Sequence, residues 1–286
     1  MTARILSGTE AAAAWRAEIT GRVGSLAADG KRVGLATVLV GDDPASAVYV
    51  RNKNKAAEAA GMRSFDHRLP ATATQGEVEG LVHRLNEDDA VDGYIVQLPL
   101  PKRLDPGPVL VGMDPAKDAD GLHPVNLGRM VLDVLAPRPA TPTGILRLLD
   151  HYGIPTRGMK AVVVGRSTLV GRPLSVMLGS KGRDATVTVA HTGTEDLAEV
   201  TATADLLFVA AGRAGLITGA HVKPGAFVVD AGTNQVDGRL VGDANFDEVA
   251  AVAAGVTPVP GGVGPMTIAG LLYNTVLLAE GAFGGL

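Results

Sequence analysis

The strongest constraint on the fold is a regular alternation between segments with helical apolar spacing and short β-rich runs. Residues 9–30 and 46–61 have helical spacing, and each is followed by an extended run, at 31–43 and 63–70. Parallel strands are joined by crossover helices, so this order is typical of parallel sheets. We therefore predict an α/β protein with mostly parallel sheets and helices on both faces.

A stretch rich in proline and glycine, residues 101–143, interrupts this alternation. A second alternating series follows, whose strands KAVVVG, ATVTVA, DLLFVAAG and AFVVDAG are nearly all apolar, as expected when both faces of a sheet are covered. With 286 residues, the chain is long enough for two domains. The stretch is thus predicted to be a domain boundary or a functional loop.

The composition excludes several classes of function. The formal net charge of -4 provides no basic surface for nucleic acid or an anionic membrane. Cysteine is absent, which excludes disulfides and thiolate chemistry, and the six histidines form no ligand cluster, so no metal site is expected. No run of about 18 apolar residues and no signal peptide is found, so we expect a cytoplasmic protein acting on small molecules.

A strand, a glycine turn and a helix follow one another in KAVVVGRSTLVGRPLSVML. The free backbone N–H groups of such a turn can bind a phosphate. Gly165 and Gly171 do not form the G-x-G-x-x-G pattern, however, and the motif is equally consistent with a turn that serves only for packing. The next strand ends at Ala190, followed by His191, without the carboxylate that NAD-binding folds place there. With Arg166 nearby, this favours NADP, although Arg166 as a solvated surface residue stays an alternative.

A positively charged segment, YVRNKNK, occupies residues 49–55 on a helix predicted to begin near Ser46 or shortly before it. Tyr49 and Lys53 are one turn apart and share a face, whereas Arg51 and Lys55 point elsewhere. Spacing alone favours a structural tyrosine–lysine pair over a catalytic lysine.

Three further segments are candidates for ligand binding. Gln97 ends the apolar strand of GYIVQLPLP, and its amide oxygen can accept a hydrogen bond from an ammonium group. A capping glutamine in the loop is the alternative interpretation. Asp118 and Asp120 lie in KDADG, for which an ordinary Asp-Gly turn is the simpler interpretation. The glycine loop at residues 258–265 permits close approach of a flat ligand, although many such loops only connect elements.

These segments together resemble the bifunctional methylenetetrahydrofolate dehydrogenase/cyclohydrolases, the FolD family, over nearly the whole chain. The matching blocks, in order, are VGDDPAS with YVRNKNKA, GYIVQLPLP, KDADGLHPVNLG, TPTG, VVVGRSTLVGRP, ATVTVAHT, KPGAFVVDAGTN and TPVPGGVGPMT. The chain departs from the usual pattern at four positions, none of them for proton transfer: Ala140, Ala190, Thr192 and Thr233.

The resemblance implies two domains flanking a cleft: a folate-binding catalytic domain of residues 1–140 and 262–286, to which the last helix returns, and a Rossmann-like NADP-binding domain of residues 141–261. It implies a homodimer that oxidises 5,10-methylenetetrahydrofolate with NADP and hydrolyses the methenyl product to 10-formyltetrahydrofolate. A mainly monofunctional dehydrogenase using NAD or NADP, and a non-catalytic nucleotide sensor, stay as alternatives.

The resemblance also assigns the site residues. The implied catalytic residues are Lys53, Tyr49, Gln97 and Asp120. The implied folate-binding residues are Tyr49, Val96, Gln97, Leu98, Asp120, Pro260, Gly261, Gly262, Val263 and Gly264. The implied NADP-binding residues are Gly165, Arg166, Ser167, Thr192 and Thr233.

Overall fold

The structure, a computed structural model, describes residues 3–284 and confirms the α/β class. The strands of this part of the chain, β1 to β11, are Arg4–Ile5, Gly34–Val40, Arg63–Leu69, Gly93–Val96, Lys160–Val164, Thr186–Ala190, Leu206–Val209, Phe227–Asp230, Asn234–Val236, Arg239–Val241 and Gly255–Val256. The helices, α1 to α10, are Gly8–Ala28, Pro44–Ala59, Gln75–Glu87, Pro106–Val111, Pro124–Val131, Ala140–His151, Gly171–Gly179, Leu197–Thr201, Phe246–Val252 and Val263–Ala279.

The chain forms two compact units. Unit 1 contains the described residues up to Ala13 together with Thr141–Thr267, and unit 2 contains Ala14–Ala140 together with the described residues from Ile268 onward. The predicted domain limits differ from this division because they assign the first segment and residues 262–267 to the folate-binding domain. They also include residues 1, 2, 285 and 286, which lie outside the described residues.

Unit 1 is built on a six-stranded parallel sheet in the order β1, β11, β8, β7, β5, β6. The chain passes from β5 to β6 on one side and returns to β7 on the other, so the strand order reverses between β5 and β7. Val162 and Leu207 in these strands are buried, as the apolar pattern predicts. Ligands of open α/β sheets bind at the carboxyl ends of strands at such a reversal.

Two parts of this sheet were not predicted correctly. The strand β6 lies at an edge and has three exposed residues, Thr186, Thr188 and Val189, so it is not covered on both faces as its apolar composition suggests. The paired strands β1 and β11 have two residues each, too few for a periodic pattern. Their pairing makes Arg4–Ile5 part of the unit 1 sheet.

Unit 2 contains a three-stranded parallel sheet in the order β3, β2, β4. The central strand β2 is buried along its whole length, and the apolar face of α3, including Val78, Leu81 and Leu85, belongs to the same core. The last helix, α10, joins this unit from Ile268 onward. Its Asn274 side chain donates hydrogen bonds to the carbonyl oxygens of Ala119 and Arg138, each at 2.8 Å.

Within residues 3–284, no helix combines the length and the apolar character that crossing a membrane requires. The same part of the chain has no group of three or more histidine, aspartate or glutamate residues arranged to hold a metal ion.

Candidate active site

A buried lysine of unit 2 contacts a neutral amide. The Nζ atom of Lys53 donates to Oε1 of Gln97 at 3.2 Å, and Lys53 is only 7% exposed. Lysine is rarely buried to this extent unless it has a partner. Gln97 directly follows β4, and its backbone N–H donates to the Val38 carbonyl of β2 at 2.9 Å, which fixes its position at the sheet end. At this contact the amine meets a neutral acceptor rather than an opposite charge.

Helix α2 divides the segment YVRNKNK between two faces, as its spacing predicts. Tyr49, one turn before Lys53, is 39% exposed, whereas Arg51 and Lys55 are exposed on other sides. The helix starts at Pro44, two residues before Ser46, because Oδ2 of Asp43 accepts the Ser46 N–H at 2.7 Å. The same hydrogen bond lowers the pKa of the Asp43 carboxyl below its ordinary value.

The loop that presents Asp120 is organised around a second carboxylate, Asp118. Asp118 is 1% exposed and accepts hydrogen bonds from the backbone N–H groups of Gly121 and His123 and from the side-chain amide of Asn126, at 2.7 to 2.9 Å. Burial raises the pKa of the Asp118 carboxyl above its ordinary value, although the hydrogen bonds from Asn126 and His123 oppose this shift. The KDADG segment is therefore a turn built on Asp118, and half-buried Asp120 is the acidic residue left for a ligand.

The same loop runs beside the end of β4. Asp118 pairs with Tyr94 in parallel register, and the turn that contains Asp120 follows directly after this pair. Val96 is buried, whereas Gln97 and Leu98, which follow it, are half-buried. Tyr49, Lys53, Gln97 and Asp120 thus all belong to unit 2, where β4 and α2 position Gln97 and Lys53 in direct contact.

The predicted folate-binding loop Pro260–Gly264 belongs to unit 1, whereas the other predicted folate-binding residues belong to unit 2. Pro260 and Gly264 are exposed, whereas Gly262 and Val263 are buried. A side chain at Gly8 would overlap the carbonyl group of Gly262, so the start of α1 approaches this loop closely.

A cavity of about 410 Å³ lies in unit 1 where the strand order reverses. Gly165 at the end of β5 and Ala210 at the end of β7 line it, together with Thr192 after β6. Gly165 has a φ of +120°, and a side chain there would overlap the carbonyl of Ala210. Gly171, at the start of α7, approaches the Gly165 carbonyl equally closely. Both glycines are therefore required for the close packing of this turn.

The cavity carries positive charge. Arg166 and Ser167, which are expected to contact NADP, line it, and Arg213, which the sequence analysis did not single out, lines it from the loop after β7. None of the described residues that line it is acidic. The position of Arg213 shortly after the apolar run of β7, at the carboxyl edge of the sheet, is the sequence feature that could have identified it as a candidate binding residue. Thr233, which is exposed, is outside this lining set.

Comparisons with known proteins agree with this geometry. Residues 6–120 match the family model described as tetrahydrofolate dehydrogenase/cyclohydrolase, catalytic domain, and residues 139–283 match the model of the NAD(P)-binding domain of the same family. The chain is 53% identical to the bifunctional protein FolD of Nitratidesulfovibrio vulgaris over 283 residues, which cover 98% of both chains.

Solved structures give the same result. The bifunctional FolD methylenetetrahydrofolate dehydrogenase/cyclohydrolase of Campylobacter jejuni is 43% identical, with a TM-score of 0.94 over 97% of this chain and 99% of that one. The FolD enzyme of Trypanosoma brucei, complexed with NADP and an inhibitor, is 40% identical, with a TM-score of 0.94 over the whole of both chains. The chain therefore belongs to the tetrahydrofolate dehydrogenase/cyclohydrolase family.

Proposed function

We propose that the protein oxidises 5,10-methylenetetrahydrofolate to 5,10-methenyltetrahydrofolate with NADP and then hydrolyses the product to 10-formyltetrahydrofolate. The observation that carries the proposal is the contact between buried Lys53 and Gln97 in a chain of this family. The relative with bound NADP and the NAD(P)-binding family model support the choice of cofactor.

The cavity of unit 1 fits a phosphorylated dinucleotide. The turn at Gly165 has no side chain to obstruct close approach of a ligand, and Arg166 and Arg213 supply positive charge without an acidic residue among the described lining residues. Ser167 and Thr192 add hydroxyl groups. We assign these residues to NADP binding, with Thr233 as a further contact. When bound there, NADP supplies the hydride acceptor.

The first step requires positioning more than proton transfer, because hydride leaves the substrate without acid or base assistance. We assign the orientation of the pterin to Asp120, whose carboxylate accepts its N–H donors, and to Tyr49, whose ring is partly exposed on the same face as Lys53. The main-chain segment Val96–Leu98 and the loop Pro260–Gly264 are assigned to folate contact. These roles rest on the family resemblance and on the positions of the residues.

The second step requires proton transfer, which we assign to Lys53. Its amine accepts one proton from the water that adds to the methenyl carbon. The resulting ammonium returns this proton to the ring nitrogen as the bond from that nitrogen to the carbon breaks, and the remaining hydroxyl proton is released to solvent as the formyl carbonyl forms. Gln97 holds the amine at 3.2 Å in either protonation state, because Nζ retains an N–H donor throughout. The neutral amide does not favour the ammonium over the amine as a carboxylate would.

The test follows methenyl formation and decay spectrally in the Lys53→Met variant. We expect loss of hydrolysis at least about 100-fold, the scale of general acid–base catalysis. Lys55→Met is the matched control, since Lys55 is exposed on another face of the same helix, and we expect it to retain both activities. Unchanged hydrolysis in Lys53→Met would disprove the assigned role. Wild-type protein that forms no methenyl product from methylenetetrahydrofolate and NADP would refute the proposed function itself.

The same measurement separates the proposal from a mainly monofunctional dehydrogenase, because that enzyme would accumulate the methenyl product. We also propose that the protein acts as a homodimer in the cytoplasm, as the resemblance implies. Sedimentation equilibrium should then give twice the chain mass of 29.2 kDa. A single-chain mass at micromolar concentration would contradict the dimer.

A further inference from the structure

Two loops at the carboxyl edge of the unit 1 sheet meet at one buried carboxylate, that of Asp243. Asp243 is completely buried, and its Oδ2 accepts the backbone N–H groups of Ala211 and Gly212 at 2.6 and 2.8 Å. Its Oδ1 accepts the side-chain amide of Asn234 at 2.8 Å. These donors are neutral N–H groups, so the carboxylate fixes the geometry of the two loops through hydrogen bonds rather than through an ion pair.

Both loops lead directly to residues expected at the dinucleotide. Ala211 itself lines the cavity, and Arg213 follows two residues later. Asn234 directly follows Thr233, the expected cofactor contact outside the lining set. One carboxylate thus fixes the loop of Arg213 and the loop of Thr233 at the same time.

The surrounding structure holds Asp243 in place. Asp230, at the end of β8, accepts the backbone N–H groups of Asp243 and Ala244 at 3.1 and 2.8 Å. A side chain at Gly232 would overlap the Asp243 carboxylate, and one at Gly242 would overlap that of Asp230. The two glycines therefore leave room for the two carboxylates, and the arrangement has little freedom to relax around a replacement.

We propose that Asp243 is a positioning residue for NADP binding, which it supports by holding the Ala211–Arg213 and Thr233–Asn234 segments in the binding conformation. The proposal rests on the proposed use of NADP. Asp243 lies outside the cavity lining, so its effect is transmitted through these two loops.

The test exchanges the acceptor and donor of one hydrogen bond. In Asp243→Asn, one carboxylate oxygen becomes an NH₂ group, and the groups around it are all hydrogen-bond donors. The Asn234 side chain could accept from this NH₂ group only by rotating its amide by 180°. That rotation would bring the Asn234 oxygen towards the Val241 carbonyl. In Asn234→Asp, two carboxylates oppose each other. The double variant restores the matched pair between the two side chains, since the new amide at position 243 would accept from Ala211 and Gly212 and donate to the new carboxylate at position 234. The recovery should be partial, because that carboxylate also faces the Val241 carbonyl.

The primary readout is the Kd for NADP by titration calorimetry, which is independent of turnover. We expect each single variant to raise Kd about tenfold or more, the effect of losing one hydrogen bond to a charged group, and the double variant to recover part of the loss. The KM for NADP should rise in parallel with little change in kcat. Hydrolysis of methenyltetrahydrofolate without NADP should stay unchanged in all variants, because neither Asp243 nor Asn234 is among the residues assigned to folate contact or to proton transfer.

Asp237→Asn is the matched control, because it removes the same charge from an exposed residue of the β9–β10 turn, where Asn tolerates the φ of +49°. Its Kd should equal that of the wild type. An Asp243→Asn Kd within twofold of the wild type, or a double variant no better than the single ones, would overturn the positioning role. Wild-type protein that fails to bind NADP would instead refute the proposed function.

Discussion

Replacing Gln97 by glutamate tests the proton-transfer role of Lys53 with almost no change in shape. The glutamate places a negative charge about where Oε1 now accepts from Lys53, 3.2 Å from Nζ. Two unit charges at this separation attract by about 5 kcal/mol at an effective dielectric constant of 20 and by about 1.3 kcal/mol at 80. Since Lys53 is only 7% exposed, the larger value is the more appropriate limit.

This attraction stabilises the ammonium form relative to the amine. At 1.36 kcal/mol per pH unit, the pH–rate profile of hydrolysis should move about 1 to 4 units towards higher pH. Hydrolysis at neutral pH should therefore fall by about ten- to ten-thousandfold, and it should recover as the pH is raised. Oxidation of methylenetetrahydrofolate should change much less, because that step requires positioning rather than proton transfer.

The assay is the spectral decay of methenyltetrahydrofolate from pH 6 to 10, with the uncatalysed rate subtracted at each pH. Gln97→Met is the matched control, because it has a similar length and adds no charge. Its profile should not move towards higher pH. If the Gln97→Glu profile coincides with that of the wild type, the reasoning that Lys53 must lose its proton before water attacks is wrong.

Three predictions concern unit 1. Gly165→Ala should lower the free energy of unfolding by about 1–3 kcal/mol and weaken NADP binding, because the residue has a φ of +120° and faces the Ala210 carbonyl; an unchanged unfolding curve would contradict this. Arg213→Gln should weaken NADP binding about tenfold and NAD binding much less, if Arg213 contacts the extra phosphate; equal losses for the two would exclude that contact. The Asp230 carboxyl should titrate by carbon NMR near pH 6, since burial and, to a smaller extent, Asp243 raise its pKa to about 6; a midpoint near 3.8 would contradict this. Because this pKa is raised in the folded state, Asp230 should make unit 1 less stable as the pH rises from 3.8 through 6.

The parts of the fold that sequence could predict are those with a repeated local pattern. The start of α2 is an example, since an aspartate before a proline is a local capping signal and the observed start at Pro44 is within two residues of the expected one. The strand ends at Val96 and Val164 follow from apolar runs of ordinary length. In contrast, β1 becomes a strand by pairing with β11 across about 250 residues of sequence, and β11 pairs with β8 as well, which no local pattern records.

The candidate site divides in the same way. Helical spacing placed Tyr49 and Lys53 on one face but favoured a structural pair, because nothing within α2 shows that Lys53 is buried against a residue 44 positions away. Arg213 and Asp243 were missed for a related reason. A single arginine after a strand is usually a surface charge, and the burial of Asp243 depends on two glycines that make room for it and its neighbour. Such residues are identified by tertiary contacts, not by composition or spacing.

The division of these residues between the units gives the experiments their discriminating power. Lys53, Gln97 and Asp120 belong to unit 2, whereas Gly165 and Asp243 belong to unit 1. Hydrolysis of added methenyltetrahydrofolate needs no dinucleotide, and NADP binding needs no proton transfer, so each measurement serves as a folding control for variants in the other unit. A variant that loses both would indicate global damage, since a local defect in proton transfer or in dinucleotide binding should affect one measurement only. Loss of hydrolysis alone in Gln97→Glu and loss of NADP binding alone in Asp243→Asn would therefore be evidence that proton transfer and dinucleotide binding depend on separate sets of residues.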